Sequence, residues 1–272
     1  MKGSVMEAAP KRIAVAGATG TVGRHVVDIL LADGHEVVPM SRSTGVDVVT
    51  GEGLAEALAG VECVIDAATG PSPDQAAATR FFTAAAGNLQ EAGRRAGVRR
   101  IVVLSIIGAD RFSSGYNVAK VAHERAMLSG PVPARVLRAA QFHELVGELL
   151  DWGRQGDVSY VPRIRTQLVA ARTVAEAVAD LATSLEPPLT PIPEIAGPRA
   201  ESLVEMATLL AWVRGDPVRI EAVSDQDDPD RELFEADGLL PSPHAVLAGP
   251  TFEDWMDAGL GRVLPSGSTL AG

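Results

Sequence analysis

The chain has 272 residues, 46% of them hydrophobic and 4% aromatic, and a formal net charge of −11. That apolar content predicts a sizeable folded core rather than disorder, and a negative surface would repel a phosphate backbone, which argues against nucleic acid as a direct partner. No apolar run reaches membrane-span length, the N-terminus "MKGSVMEAAP" lacks a signal-peptide core, and the single cysteine, Cys63, permits no intrachain disulfide, so a soluble cytoplasmic protein without a membrane partner is expected.

Residues 1–10 read as a loose tail. "IAVA" at 13–16 is apolar at every position, as suits a parallel strand buried on both faces. "GATGTVG" follows, and then Val22, Val26, Ile29 and Leu30 recur at helical spacing as far as Gly34, a C-terminal stop. "HEVVPM" reads as the second strand, "VDVV" at 46–49 as a short third one, 54–59 as a short helix and "VECVIDA" as a fourth strand. A long Ala-rich helix is predicted over 75–96, a strand at "RIVVLSI", a helix over 116–129 and a strand at "ARVLRA". Strands alternating with helices over short connections predict a doubly wound parallel α/β sheet.

Beyond residue 140 the pattern loosens. "FHELVGELLDW" and 172–184 read as helices, "VSYVP" as a strand and "EPPLTPIPEIAGP" as a Pro-rich connector. A helix over 201–214 stops at "RGDP", and "TFEDWM" opens a last helix with Thr251 as N-cap. This C-terminal part is expected to form a small lobe over the strand ends, where ligands of such sheets bind.

Gly17, Thr19, Gly20, Thr21, Val22 and Gly23 lie between a buried strand and a helix. Glycine allows the tight turn and a close approach of a pyrophosphate to the backbone, and the helix N-terminus offers free N–H groups and a positive dipole end. In that setting the loop predicts dinucleotide binding. Its G-x-x-G-x-x-G spacing resembles the extended and atypical short-chain dehydrogenase/reductases. The likeness continues through "VDVVTGEGLAEALAGVECVIDAA", "IVVLSIIGAD" and "YNVAKVAHERAMLSGPVPARVLRAAQF", and with "EIAGP" and "GPTFEDWM" is nearest to actinobacterial-type members of the NmrA-like branch. The resemblance implies a Rossmann-type fold over 11–272, with the cofactor part mainly 11–145 and a substrate lobe mainly 146–272. It also implies Asp47 on the adenine side, Ala67, Ala68 and Thr69 along the cofactor's adenine and ribose, and Ala140 and Phe142 in the next layer of the cofactor site.

The second strand ends "VVPMSRS", with no acid to bind ribose hydroxyls. Ser41 and Arg42 stand there instead, and a guanidinium suits a 2′-phosphate, so NADP(H) is expected in preference to NAD(H).

The chain has only two tyrosines and three lysines, yet Tyr116 and Lys120 stand four apart, on one helix face. A phenol beside a hydride donor can protonate a carbonyl oxygen. An ammonium nearby favours phenolate and can hold the nicotinamide ribose. Tyr-x-x-x-Lys is this arrangement in the short-chain reductases. Ser105 falls where they carry a hydroxyl that orients the substrate, but Ile106 and Ile107 follow where relatives often have a second hydroxyl. Ser113 and Ser114 are near enough in sequence to substitute. His143, with Glu144, is a candidate for the substrate side, and no histidine pair has metal-ligand spacing. Two functions follow. One is an NADP(H)-dependent oxidoreductase acting on a small carbonyl, enone or quinone. The other is a non-catalytic NADP(H) sensor acting through a protein partner. Tyr116 with Lys120 favours the enzyme, since a sensor needs no proton donor. A lyase or epimerase that uses the cofactor transiently also fits the sequence.

Overall fold

The computed structural model describes residues 10–70, 72–184, 186 and 188–260. The expected tail lies outside them, save for Pro10. In chain order the elements are β1 (Arg12–Ala16), α1 (Gly23–Ala32), β2 (Glu36–Met40), α2 (Leu54–Ala57), β3 (Cys63–Asp66), α3 (Gln75–Ala96), β4 (Arg100–Ile106), α4 (Gly115–Leu128), β5 (Ala134–Ala139) and α5 (His143–Trp152). They continue with β6 (Arg154–Gln155), β7 (Val158–Pro162), β8 (Arg165–Thr166), α6 (Ala171–Thr183), β9 (Glu194–Ala196), β10 (Glu201–Ser202), α7 (Leu203–Val213), β11 (Arg219–Val223), α8 (Arg231–Glu235), β12 (Val246–Leu247) and α9 (Phe252–Leu260). No helix among the described residues is long and apolar enough to cross a membrane.

The chain forms two compact units. The first comprises the residues up to Ala139 together with 171–194. Its strands lie in the order β2-β1-β3-β4-β5, all parallel. Ala14, Ala16, Val64, Ile101, Val103 and Val136 form one buried cluster with Ala86 and Leu89 of α3. The alternate strand residues Ile13, Val15, Ile65 and Val102 are fully buried as well. A sheet covered on both faces explains strands that are apolar without alternation. Each large side chain so enclosed contributes about 1.5–3 kcal/mol. Strand order reverses between β1 and β3, and that switch point opens a crevice at the carboxyl ends of the two strands.

The helix bounds follow local chemistry. Asp74 caps α3 by accepting the Ala77 N–H at 2.8 Å, and Gly97 ends it in the left-handed region at φ 76°. Gln90 on the buried face of α3 bonds the Met127 and Val132 carbonyls and the Val132 N–H, which fastens the turn between α4 and β5. Arg138 of β5 grips Glu124 of α4 with two bonds of 2.9 and 2.8 Å and reaches Asp110 at 2.8 Å.

The second unit comprises 140–170 and the residues from Ile195 onward. There α5 and α7 pack on the three-stranded β11-β7-β6 sheet around Val146, Leu150, Val161, Leu203, Met206 and Phe252. Thr251 accepts the Asp254 N–H at 3.1 Å and so caps α9.

Two expectations need correction. Residues 46–49 form no strand: Asp47 Oδ1 accepts the N–H groups of Val49 at 2.7 Å and Thr50 at 3.3 Å, and this local turn takes the backbone away from a ladder. The Pro-rich connector contains β9, which pairs with β12.

The Arg138–Glu124 pair sits almost wholly out of water, with side-chain exposures of 10% and 5%. Glu124→Ala would leave the guanidinium with Asp110 alone and should cost about 3 kcal/mol, read as a fall in the urea midpoint with an unchanged slope.

Candidate functional site

Three backbone segments meet at the carboxyl ends of β1 and β3. Gly17 takes φ +75°, and a Cβ there would lie 2.7 Å from the Ala67 carbonyl oxygen. A Cβ on Gly23 would overlap the carbonyl oxygen of Gly17. These two glycines therefore serve closeness between backbones. Gly20 is different: it is exposed, and a Cβ there would approach only the Gly17 oxygen, at 3.2 Å. The loop closes through the Gly20 N–H to the Gly17 carbonyl at 2.9 Å. Among the described residues the N–H groups of Thr21, Val22 and Gly23 have no backbone acceptor, and the first turn of α1 holds no acid. Bare donors at a helix start fit the pyrophosphate of a dinucleotide.

Beyond β2, Ser41 to Gly45 form one tight turn, with the Ser41 N–H bonded to Thr44 Oγ1 at 2.9 Å. Arg42 on that turn is exposed, and its guanidinium has no partner among the described residues. Asp47 spends Oδ1 on its own turn.

On α4, Tyr116 and Lys120 both lie against Phe82 of α3. The Tyr116 ring meets it edge-on at 5.7 Å, and Lys120 Nζ sits 4.3 Å above its centroid. The phenol hydroxyl is 2.9 Å from Thr69 Oγ1, just past β3. Burial pushes the phenol above its ordinary pKa, and the Thr69 bond offsets part of this, so in the cofactor-free protein the phenol is held protonated. Lys120 Nζ donates to the Leu104 carbonyl at 2.7 Å and lies 3.2 Å from His123 Nδ1. His123 Nε2 is 3.0 Å from Asp66 Oδ2, and the Ala68 N–H donates to Asp66 Oδ1 at 3.1 Å. Burial lowers the Lys120 pKa to about 8 against the opposing charges of Asp66 and Glu124. For Asp66 burial acts upward, but the His123 bond, the Lys120 charge and the Ala68 N–H outweigh it and hold the carboxyl below its usual range. Ser105 lies one residue from the end of β4, is 3% exposed, and its Oγ has no partner among the described residues.

The remaining predicted residues belong to the second unit. The Ala140 N–H donates to the Ile195 carbonyl, and Phe142 pairs with Val169. His143 is enclosed by Phe252 and Trp255, with Nε2 3.2 Å from the Pro250 carbonyl oxygen. Burial takes its pKa down to about 4, so the ring is neutral at pH 7. Phe82, Asp66 and His123 were not among the predicted site residues. His123 could have been found: it stands three residues after Lys120 and seven after Tyr116, on the same helix face.

Fold and site together define a nicotinamide-dinucleotide-binding Rossmann-type protein. Residues 17–129 match the model of the NAD(P)H-binding family. The photosystem II assembly factor Ycf39 of Synechocystis sp. is 27% identical over 236 residues, 78% of this chain and 70% of that protein. L-arabinose 1-dehydrogenase (NAD(P)(+)) of Haloferax volcanii is 34% identical over 117 residues, 40% of this chain and 44% of that one. A solved short-chain dehydrogenase/reductase superfamily protein from Agrobacterium tumefaciens, with bound NAD, superposes with a TM-score of 0.64 at 19% identity and covers 93% of this chain and 98% of its own. Residues 17–129 thus carry the likeness to the NAD(P)H-binding family, and the solved structure shows that the fold is shared.

The two kinds of glycine should separate in experiment. Gly23→Ala should destabilise the fold by about 1–3 kcal/mol or more through backbone overlap, seen in urea unfolding. Gly20→Val should leave the unfolding midpoint near wild type and abolish NADPH binding in titration calorimetry. A folded Gly20→Val protein that still binds would make the loop a turn and nothing else.

Proposed function

We propose that the protein is an NADP(H)-dependent oxidoreductase that reduces a small carbonyl, enone or quinone. The observation that carries this reading is the placement of Tyr116 and Lys120 against one phenylalanine, with the phenol bonded to Thr69 and the unpartnered Ser105 hydroxyl on β4. The bound dinucleotide supplies the hydride. Tyr116 gives its phenolic proton to the substrate oxygen, and the upward shift of its pKa keeps that proton available at neutral pH. The Thr69 hydroxyl orients the phenol. Ser105 Oγ is a free donor for the substrate oxygen, the need that its missing neighbouring hydroxyl leaves. Lys120 holds the nicotinamide ribose.

Arg42 supports NADP(H). It is a free, exposed guanidinium just past β2, where no acid stands to repel a 2′-phosphate. The free Asp47 oxygen, Oδ2, is assigned to the adenine side. Ala67 and Ala68 line the ribose. The enclosed His143 supports packing better than substrate contact.

A second reading is a binding protein that senses NADP(H) and acts through a protein partner. It is favoured by the likeness to Ycf39, which is an assembly factor. Turnover decides between the two, by following NADPH oxidation with aldehydes, ketones and quinones.

Arg42→Ala should weaken NADPH by roughly 2 kcal/mol, the scale of a charge-assisted contact, and leave NADH nearly unchanged in calorimetric titration. Equal affinity of the native protein for the two cofactors would remove the basis for NADP(H).

Tyr116→Phe keeps the ring on Phe82 and removes the hydroxyl. Turnover should fall by about 10²–10⁴-fold while cofactor affinity barely changes. An active reductase that keeps full rate in this variant would leave Tyr116 a packing residue. Absence of turnover in the native protein, together with unaltered cofactor binding in the variant, would favour the sensor.

A further inference from the structure

Asp66 and His123 have no part in the chemistry proposed above, yet they are among the most deeply buried polar side chains of the first unit, at 1% and 0% exposure. They form a continuous chain that ends on Lys120. Asp66 Oδ2 to His123 Nε2 is 3.0 Å, and His123 Nδ1 to Lys120 Nζ is 3.2 Å. The imidazole is held flat by Phe82, whose ring stacks on it at 4.8 Å with an interplanar angle of 22°.

The hydrogens on this chain can be assigned. An ionised carboxylate only accepts, so the His123 hydrogen lies on Nε2. Nδ1 is then a lone pair, the one form that accepts from an ammonium. Burial and the neighbouring Lys120 charge both disfavour the imidazolium, which keeps the ring neutral. The Lys120 ammonium thus has one N–H on Leu104 and one on His123, and a third is left over.

We propose that His123 and Asp66 are positioning residues for Lys120, and that the carboxylate–imidazole–ammonium chain fixes the direction of the single N–H that Lys120 keeps for the cofactor. The cofactor clause rests on the reading of Lys120 given above; the chain itself does not. A buried ammonium tends to lose its proton, and the chain opposes that by offering a neutral acceptor backed by a negative charge two bonds away. The titratable groups facing Lys120 are Asp66 from β3 and Tyr116, His123 and Glu124 from α4. Glu124 is already engaged by Arg138 of β5, while α3 contributes the Phe82 ring and β4 the Leu104 carbonyl.

The chain has only three lysines, Lys2, Lys11 and Lys120, so the side-chain Cε signals of lysine can be assigned and followed against pH in the cofactor-free protein. Asp66→Asn is nearly isosteric. Its amide N–H would face Nε2, drive the imidazole hydrogen to Nδ1 and point it at the ammonium. The Lys120 midpoint should then fall by about one unit or more. His123→Leu removes the acceptor and should do the same. The midpoint should stay near wild type in His123→Gln, whose carbonyl can still accept from Nζ. In the two variants that lower it, NADPH affinity at pH 7.5 should fall about threefold, the loss of ammonium fraction when a midpoint near 8 drops by one unit. A role in packing alone would lower the melting temperature without moving the Lys120 midpoint. An unmoved midpoint in folded Asp66→Asn overturns the proposal, whether or not His123→Leu folds. A lowered midpoint with unchanged NADPH affinity sustains the chain and overturns the assignment of Lys120 to the cofactor.

Discussion

The site depends on one contact between backbones. The exit of β1 at Gly17 presses against the exit of β3 at Ala67 and Ala68, and the start of α1 at Gly23 presses against Gly17 in turn. No side chain fits at either point. Because these segments touch directly, the start of α1 is aimed at the switch point between β1 and β3, with the N–H groups of Thr21, Val22 and Gly23 free of backbone acceptors among the described residues. Asp66, Ala68 and Thr69 are placed by the same contact, since they belong to the strand exit that Gly17 leans on. Tyr116 and Lys120 then find their partners there, the phenol on Thr69 and the ammonium, through His123, on Asp66.

The helix that carries those two residues is seated in an unusual way. Its buried residues are Asn117, Ala119, Lys120, His123, Glu124 and Met127, so most of the inward face is polar. Apolar ridges alone would leave such a helix free to slide. Polar partners from three strands fix it instead: Leu104 of β4 takes Lys120, Asp66 of β3 takes His123, and Arg138 of β5 takes Glu124. Each pair offsets a desolvation cost that would otherwise be destabilising, and each is specific to one register. Stability and the placing of candidate catalytic groups come from the same bonds.

Much of this architecture was legible in the sequence. The bounds of α3 were read as found, because Asp74 and Gly97 mark its ends chemically, and the Gly loop was read from its place between an apolar strand and a helix. The strand expected at 46–49 failed because Asp47 satisfies nearby N–H groups with its own side chain, a local competition that hydrophobic pattern does not register. Tyr116 and Lys120 were found by spacing within one helix. Their partners were harder, because Leu104 and Asp66 lie on other strands and Thr69 just past one, and only the tertiary arrangement of the sheet brings them close. Thr69 was assigned by resemblance to the adenine and ribose side, and the structure sets its hydroxyl against the phenol. The Arg138–Glu124 grip had no sequence signal, since fourteen residues separate a helix position from a strand position with no fixed phase between them.

The lone thiol adds a consequence of its own. Cys63 opens β3, the strand between β1 and β4, and it is 3% exposed with a pKa pushed up to about 12 by burial. An alkylating reagent or a partner thiol reaches it only when the layer packed on that face of the sheet opens, and the thiolate that would react scarcely forms there. Its rate of modification is therefore a clock for the opening of the packing around the central strands. The molecule carries a built-in gauge of how often the floor beneath its glycine loop comes apart, and that gauge can be read without cofactor, substrate or any added label.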